Sequence, residues 1–268
     1  MLRLLLTRLR QGRRTVPFPP PSSALPERYR GRPVVEPARR GPGPPPLVDL
    51  GTSLFCPEEA AALPDGAVRF GAEYAMATRT REALRTATGQ VALATALEDR
   101  SRRLFGRSLR LRSVSAGGCG GCEAELVALG NVVFDLARFG VQFVASPRHA
   151  DGLVITGAVS RNMLAALEKT YAAVADPKIV IAVGSCAIGG GPFRGGPEVG
   201  DGVPAGIPVD LYVPGCPPHP LTILDGLLRL LGRLDDRGRR PEPPAPPRGG
   251  TKGTEGALKT APPEADPF

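Results

Sequence analysis

Five short runs of apolar, mostly β-branched residues recur between positions 109 and 215: "LRLRSVS" (109–115), "VQFVAS" (141–146), "DGLVITGA" (151–158), "KIVIAVGS" (178–185) and "PVDLYVPG" (208–215). Helical patterns stand among them, "EAELVALGNVVFDLARF" (123–139) and "RNMLAALEKTYAAVA" (161–175), and a third, "PLTILDGLLRLLGRL" (220–234), closes the series. Near-continuous apolar strands are buried on both faces, and strands that alternate with helices build a mainly parallel sheet with helices on either side. The expected fold over 109–235 is a flavodoxin-like, doubly wound α/β domain.

The rest of the chain is different in kind. Many of its 31 prolines crowd the two ends, in runs such as "PFPPP" and "GPGPPPL" and in the tail "PEPPAPPRGGTKGTEGALKTAPPEADPF". Such composition buries too little apolar surface to offset ordering entropy. Residues 1–48 therefore read as an extended or disordered extension, and 236–268 as a disordered Pro/Gly-rich tail. Residues 1–40 hold ten arginines against Glu27 and Glu36, a balance of +8 that equals the net charge of the whole chain. The other 228 residues are neutral overall, which argues against a nucleic-acid partner, since that needs a basic face on the folded domain.

Within the extension, "MLRLLLTRLRQGRR" places Leu2, Leu5, Leu6 and Leu9 on one helical face. It is too short to span a bilayer and lacks a secretory cleavage pattern. A membrane-surface contact, a partner contact and a frayed basic helix all remain open. With no export signal the expected compartment is reducing, so the five cysteines are not expected to pair as disulfides. Residues 49–108 lack a clean pattern; "EYAMATRTREALRTATGQVALATALEDRSRRLF" is compatible with a helical connector.

Four cysteines fall just beyond predicted strands: Cys119 and Cys122 after the first, Cys186 in "VGSCAIGGG", Cys216 in "VPGCPP". In open parallel sheets, ligands gather beyond the carboxyl ends of the strands. Glycine or proline flanks each thiol, which lets backbone approach a bulky group and offer N–H donors to sulfur. A proline after the last ligand, as in Cys216-Pro217, recurs in iron–sulfur runs. One [4Fe–4S] cluster held by Cys119, Cys122, Cys186 and Cys216 fits this pattern. Zinc takes four thiolates too, but structural zinc sites use two local knuckles, and here the third and fourth thiols lie 64 and 94 residues beyond Cys122. A redox C-x-x-C pair, or a flavin site, leaves thiols without a role.

The stretches "CGGCEAEL", "ASPRHADGLVITGAVSRNM", "PKIVIAVGSCAIGGG" and "IPVDLYVPGCPPHP" resemble the small-subunit family of the complex I 20 kDa (B) subunit and of formate hydrogenlyase-type (group 4) [NiFe] hydrogenases. The resemblance covers about residues 110–233. Complex I members carry adjacent cysteines at the first site, whereas the C-x-x-C of Cys119 and Cys122 is of the hydrogenase kind. The resemblance implies a cluster nearest the active site of a large catalytic subunit, with electrons relayed to or from it. It implies a role for Glu125 in proton movement at the subunit junction, and places Arg148 and His149 beside the cluster. A first-turn carboxylate favoured by the helix dipole is the plainer reading for Glu125, and the preferred one for Glu123. His219 reads as a helix-start residue.

Residues 28–37, "RYRGRPVVEP", resemble the start of the two-cluster ferredoxin subunit of the same complexes. Ser53, Cys56, Glu59 and Leu63 then occupy the four cysteine positions of C-x2-C-x2-C-x3-C-P, with Pro64 following. Only Cys56 is a thiol, so this segment reads as a degenerate ferredoxin-like module and Cys56 as a leftover. The expectation is an electron-transfer subunit, peripheral on the cytoplasmic face of the cell membrane, with membrane-arm and ferredoxin-like subunits as further partners. The competing expectation is a structural or assembly subunit whose cluster only holds its loops.

Overall fold

The computed structural model describes residues 2–12, 14–20, 25–36, 47–61, 67–106 and 108–234. At its centre, β5 (Leu109–Ser115), β6 (Val141–Phe143), β7 (Gly152–Thr156), β8 (Ile179–Val183) and β9 (Leu211–Val213) form one sheet in the order β6-β5-β7-β8-β9. Every pairing in it is parallel. Numbered along the domain, this order is 2-1-3-4-5, the flavodoxin-like arrangement, with strand order reversing between β5 and β7. The sequence expectation for this domain holds.

Strand periodicity sorts the side chains onto the two faces of the sheet. Val154, Ile179, Ile181 and Val183 join α4 (Gly121–Ala128) and α7 (Pro220–Leu230) in one core, while Leu153, Ile155 and Val180 pack with Leu167 of α5 (Arg161–Ala173) in another. The predicted helix over 123–139 stops early: Gly130 and Asn131 break it, Asn131 Oδ1 accepts from the N–H groups of Val133 and Phe134, and the chain resumes as a 3-10 turn at Leu136–Phe139. Asparagine competes for backbone donors in this way and favours turns over helix interiors.

The 49–108 segment departs most from its helical expectation. It contributes β2 (Val48–Asp49), α2 (Pro57–Ala61), β3 (Val68–Phe70), β4 (Arg85–Thr86) and α3 (Asp99–Phe105), and of the helix-compatible stretch only α3 is α-helical. β3 pairs antiparallel with β1 (Pro33–Val35), and β2 with β4. Threonines explain the difference. Thr78 Oγ1 donates to Thr80 O, Thr80 Oγ1 accepts from Ala83 N, and Thr86 and Thr88 hydroxyls accept from the N–H groups two residues on. Such local bonds stabilise turns at the expense of helix.

This irregular segment forms an outer layer over α7, every residue of which is buried. A helix buried on all sides needs a second cover besides the sheet. Ala77, Ala94 and Leu97 supply it in the same core as Leu224 and Leu228, joined by Phe18 of the extension, which at this residue and at β1 is ordered against expectation; Leu97 N–H donates to Leu230 O, and Thr78 bridges antiparallel to Tyr212 of β9. Inside this layer Arg229 Nε donates to Asp225 Oδ2 at 2.8 Å, with side-chain exposures of only 5% and 2%.

Removing one partner of a buried pair strands the other charge. Arg229→Met is expected to cost about 3–5 kcal/mol in chemical denaturation, and the double change Asp225→Leu with Arg229→Met to recover most of that loss.

Candidate metal centre

Three loops at the carboxyl edge of the sheet carry the four predicted thiols. β5 runs into Ala116–Cys119 and the first turn of α4, which holds Cys122; β8 turns through Gly184 into the short α6 (Ser185–Gly189), which holds Cys186; β9 leads to Cys216. The first loop must cross the end of β7 to meet the other two. Gly157, directly after β7 with φ +83°, makes room: a Cβ there would lie 2.6 Å from Gly118 N and 2.9 Å from the Gly117 carbonyl carbon.

The loops then meet. A Cβ at Gly184 would stand 2.4 Å from Cys122 Sγ, and one at Gly121 would stand 3.5 Å from Cys119 Sγ and 3.7 Å from the ring of Pro217, the neighbour of Cys216. A Cβ at Gly191 would fall 2.8 Å from Cys186 Sγ. Gly184 and Gly191 thus leave room beside two thiols that a side chain would fill, while a Cβ at Gly121 would make ordinary contact with the third. Gly184 N–H donates to Val213 O and Ser185 N–H to Gly215 O, which ties the Cys186 loop to the Cys216 loop.

Electrostatics give the same picture. Burial pushes the Cys122 thiol up to about 12, helped by Glu123 and by the Cys186, Cys216 and Cys119 thiolates. Burial likewise raises Cys186 to about 11, with Cys216 and Cys119 adding to it, and raises Cys216, with Cys119 adding to it. Every pair among the four thiols therefore repels when ionised. Repulsion of this kind is what a multiply charged cation relieves. Among the described residues no group of three or more His, Cys, Asp or Glu side chains is arranged to hold a single metal ion. The donor set, four soft thiols among glycines, fits an iron–sulfur group.

Glu123, in the first turn of α4, accepts from Ser115 Oγ at 2.5 Å and Thr156 Oγ1 at 2.7 Å. Burial raises its carboxyl, but these bonds and its own N–H outweigh that and hold it below the usual carboxylate range. It locks α4 to the ends of β5 and β7. Glu125 is half-buried, and burial raises its carboxyl. His219 caps α7, Nδ1 accepting from Leu221 N at 3.1 Å, as a helix-start residue should. Arg148 and His149 stand exposed on a 3-10 turn at the amino end of β7, away from the edge where the thiols gather.

The segment before the domain reaches the site from the other side, which reading motifs one at a time did not reveal. Arg81 grips Asp49 through two bonds of 2.7 and 2.9 Å, Ser185 Oγ donates to Ser53 O, and Thr52 packs where a Cβ on Gly189 would be 2.7 Å away. Ser53 Oγ donates to Glu59 Oε2 at 2.6 Å. Cys56 and Glu59 both add to the rise of the Cys216 thiol, so the fifth cysteine borders the site. Leu63, at the fourth position of the ferredoxin-like spacing, lies outside the described residues.

Gly184→Ala would put a methyl group against Cys122 Sγ at a φ of +89° that only glycine adopts freely. The expected outcome is a loss of about 1–3 kcal/mol of stability, read by thermal melting. A second prediction concerns pH. In the metal-free chain the Cys122 and Cys186 thiols ionise at about 12 and about 11 when folded, against 9.0 for an ordinary thiol. Between pH 9 and those values the folded chain binds more protons than the unfolded one, so stability falls as pH rises. Melting temperature is expected to drop steadily above pH 9, and less so in a Cys122→Ala chain.

Residues 119–230 match the family described as NADH ubiquinone oxidoreductase, 20 Kd subunit. Among curated relatives, the probable membrane-bound hydrogenase subunit mbhJ of Pyrococcus furiosus is 43% identical over 132 residues, covering 49% of this chain and 79% of that protein. Formate hydrogenlyase subunit 7 of Escherichia coli is 44% identical over 131 residues, 49% of this chain and 51% of that one. The NADH-quinone oxidoreductase B subunit of Heliobacterium modesticaldum is 46% identical over 116 residues, 43% of this chain and 66% of that one. A chain of an archaeal respiratory membrane complex, the membrane-bound sulfane sulfur reductase, superposes with a TM-score of 0.44 at 34% identity, over 51% of this chain and 75% of that one. The relatives are thus subunits of membrane-bound hydrogenases and of complex I-type oxidoreductases, and this chain belongs to the 20 kDa-subunit family of NADH ubiquinone oxidoreductase.

Proposed function

We propose that this chain is an iron–sulfur electron-transfer subunit of a membrane-associated, hydrogenase- or complex I-like oxidoreductase. Cys119, Cys122, Cys186 and Cys216 hold one [4Fe–4S] cluster, and the observation that carries the reading is that the glycine-lined loops after β5, β8 and β9, which bear all four, meet at one edge of the sheet. When bound, the cluster supplies one-electron, outer-sphere transfer in which the protein makes and breaks no bond. The residues do the rest. Cys186 is buried and anchors the inner side, while Cys119 and Cys216 are exposed and turn the outer side toward a large catalytic subunit, where the distance to its redox centre is set. Glu123 keeps α4 in register, and Glu125, half-buried with a raised carboxyl, is placed to take up and release a proton at that junction.

Among the described residues no helix is long and apolar enough to cross a membrane. We place the subunit as a peripheral component on the inner face of the cell membrane, with membrane-arm and ferredoxin-like subunits as its further partners. The N-terminal segment carries no second metal site in this reading; Ser53, Cys56 and Glu59 border the one site.

Anaerobically purified chain is expected to carry about four iron and about four sulfide per polypeptide, and the assembled complex to reduce and reoxidise them in a potentiometric titration followed by EPR. Tight zinc without labile sulfide overturns the cluster; a cluster that never changes redox state in the complex makes the chain a scaffold. Cys186→Ser is expected to lose the iron and to melt earlier, because α6 is held mainly by what surrounds it.

A further inference from the structure

α1 (Leu2–Gln11) is a ten-residue helix with no buried residue; its leucines are all exposed, Leu4 on the side opposite the other four. At about 100° per residue, Leu2, Leu5, Leu6 and Leu9 fall on one face. Arg8 lies beyond one edge of that face, Arg3 and Arg10 beyond the other. The stripe is open to solvent, from 46% exposure at Leu6 to 76% at Leu9. A folded chain does not keep such a face bare without a use for it.

The charges say what kind of surface covers it. No acidic residue occurs before Glu27, and α1 carries Arg3, Arg8 and Arg10 without a counter-charge on the helix. Arginines on both flanks of a leucine face can reach outward while their stems follow the leucines down, the arrangement of a helix lying in a lipid interface. The chain that follows the helix is held to the domain. Val16 N–H donates to Val133 O, Thr15 Oγ1 to Val132 O, and Phe18 is buried edge-on against Phe139. Between the last turn of α1 and this anchor runs a cleft of about 690 Å³ whose lining includes Arg8, Arg14 and Arg138, with Asp135 as its acidic residue. Arg138 is engaged by Val16 O and the Phe139 ring, and Arg8 and Arg14, beside an apolar stripe, suit an anionic headgroup beside its acyl chain.

We propose that α1 docks the subunit directly onto an anionic lipid surface, leucines in the acyl boundary and arginines at the headgroups. This deepens the peripheral placement given above and stands apart from the cluster, because α1 and the thiols share no residue. Through α1 the subunit meets the bilayer by itself, before or without its membrane-arm partners.

The test uses the anaerobically purified full-length chain in flotation with vesicles of phosphatidylcholine, alone or with roughly 30% phosphatidylglycerol. Binding to the anionic vesicles is expected to be at least about tenfold stronger, and to weaken as salt rises from about 0.1 to about 0.5 M. The triple variant Leu5→Ser, Leu6→Ser, Leu9→Ser is expected to lose binding, as is Arg3→Gln, Arg8→Gln, Arg10→Gln, while the matching Arg→Lys triple retains it. Unchanged melting of the variants shows that the domain is intact, as expected for residues that are all exposed. Equal binding to both vesicle types, or binding by the leucine variant as tight as that of the unaltered chain, overturns the proposal. So does a wild-type chain that ignores vesicles while its leucine variant fails to assemble with the other subunits, which would make the stripe a subunit contact. Iron content measured on the same samples reports on the cluster separately, so the two readings fail independently.

Discussion

The close approach of the Cys122 sulfur to the backbone at Gly184 is the constraint on which the site depends. It brings the loop after β5 across the end of β7 and against the loop after β8, and it works only because Gly157 and Gly184 have no side chains and adopt positive φ. Once those loops touch, Gly184 N–H donating to Val213 O of β9 and Ser185 N–H donating to Gly215 O complete the edge. The four thiols inherit their proximity from the backbone, and burial together with that proximity keeps Cys122, Cys186 and Cys216 protonated until a cation takes the place of their protons.

The outer layer built from the N-terminal segment solves two problems with one stretch of chain. It covers α7, which is too apolar to face water, and through the Asp49–Arg81 pair and the Ser185–Ser53 bond it buttresses the rim of the thiol site. The segment whose sequence spacing led to the expectation of a degenerate ferredoxin module has a structural occupation instead. Ser53 and Glu59, at two of that module's cysteine positions, bond to one another. Cys56, the remaining thiol, borders the Cys216 side of the site.

What was readable in the sequence, and what was not, divides along the range of the forces involved. β5 matches its predicted span, and β7, β8, α5 and α7 sit within theirs, because hydrophobic periodicity over five to fifteen residues is a local signal that burial in a two-sided sheet reinforces. The stretch around 73–105 misled, since its composition suits a helix but its threonines satisfy their neighbours' N–H groups in turns. The break after α4 came from Gly130 and Asn131, a local signal that a run of apolar residues on either side concealed.

The amino-acid sequence by itself determined that four cysteines would lie beyond three strand ends, that those strands would be parallel and covered on both faces, and that all net charge would sit in the extension. Only the tertiary structure decided that the loops bearing the thiols meet, that residues 49–59 close in beside them, and that the α1 leucines stay exposed. The physical reason is that strand order, loop crossing and the seating of an irregular segment are set by contacts between residues far apart in the chain, whose free energies no local pattern encodes.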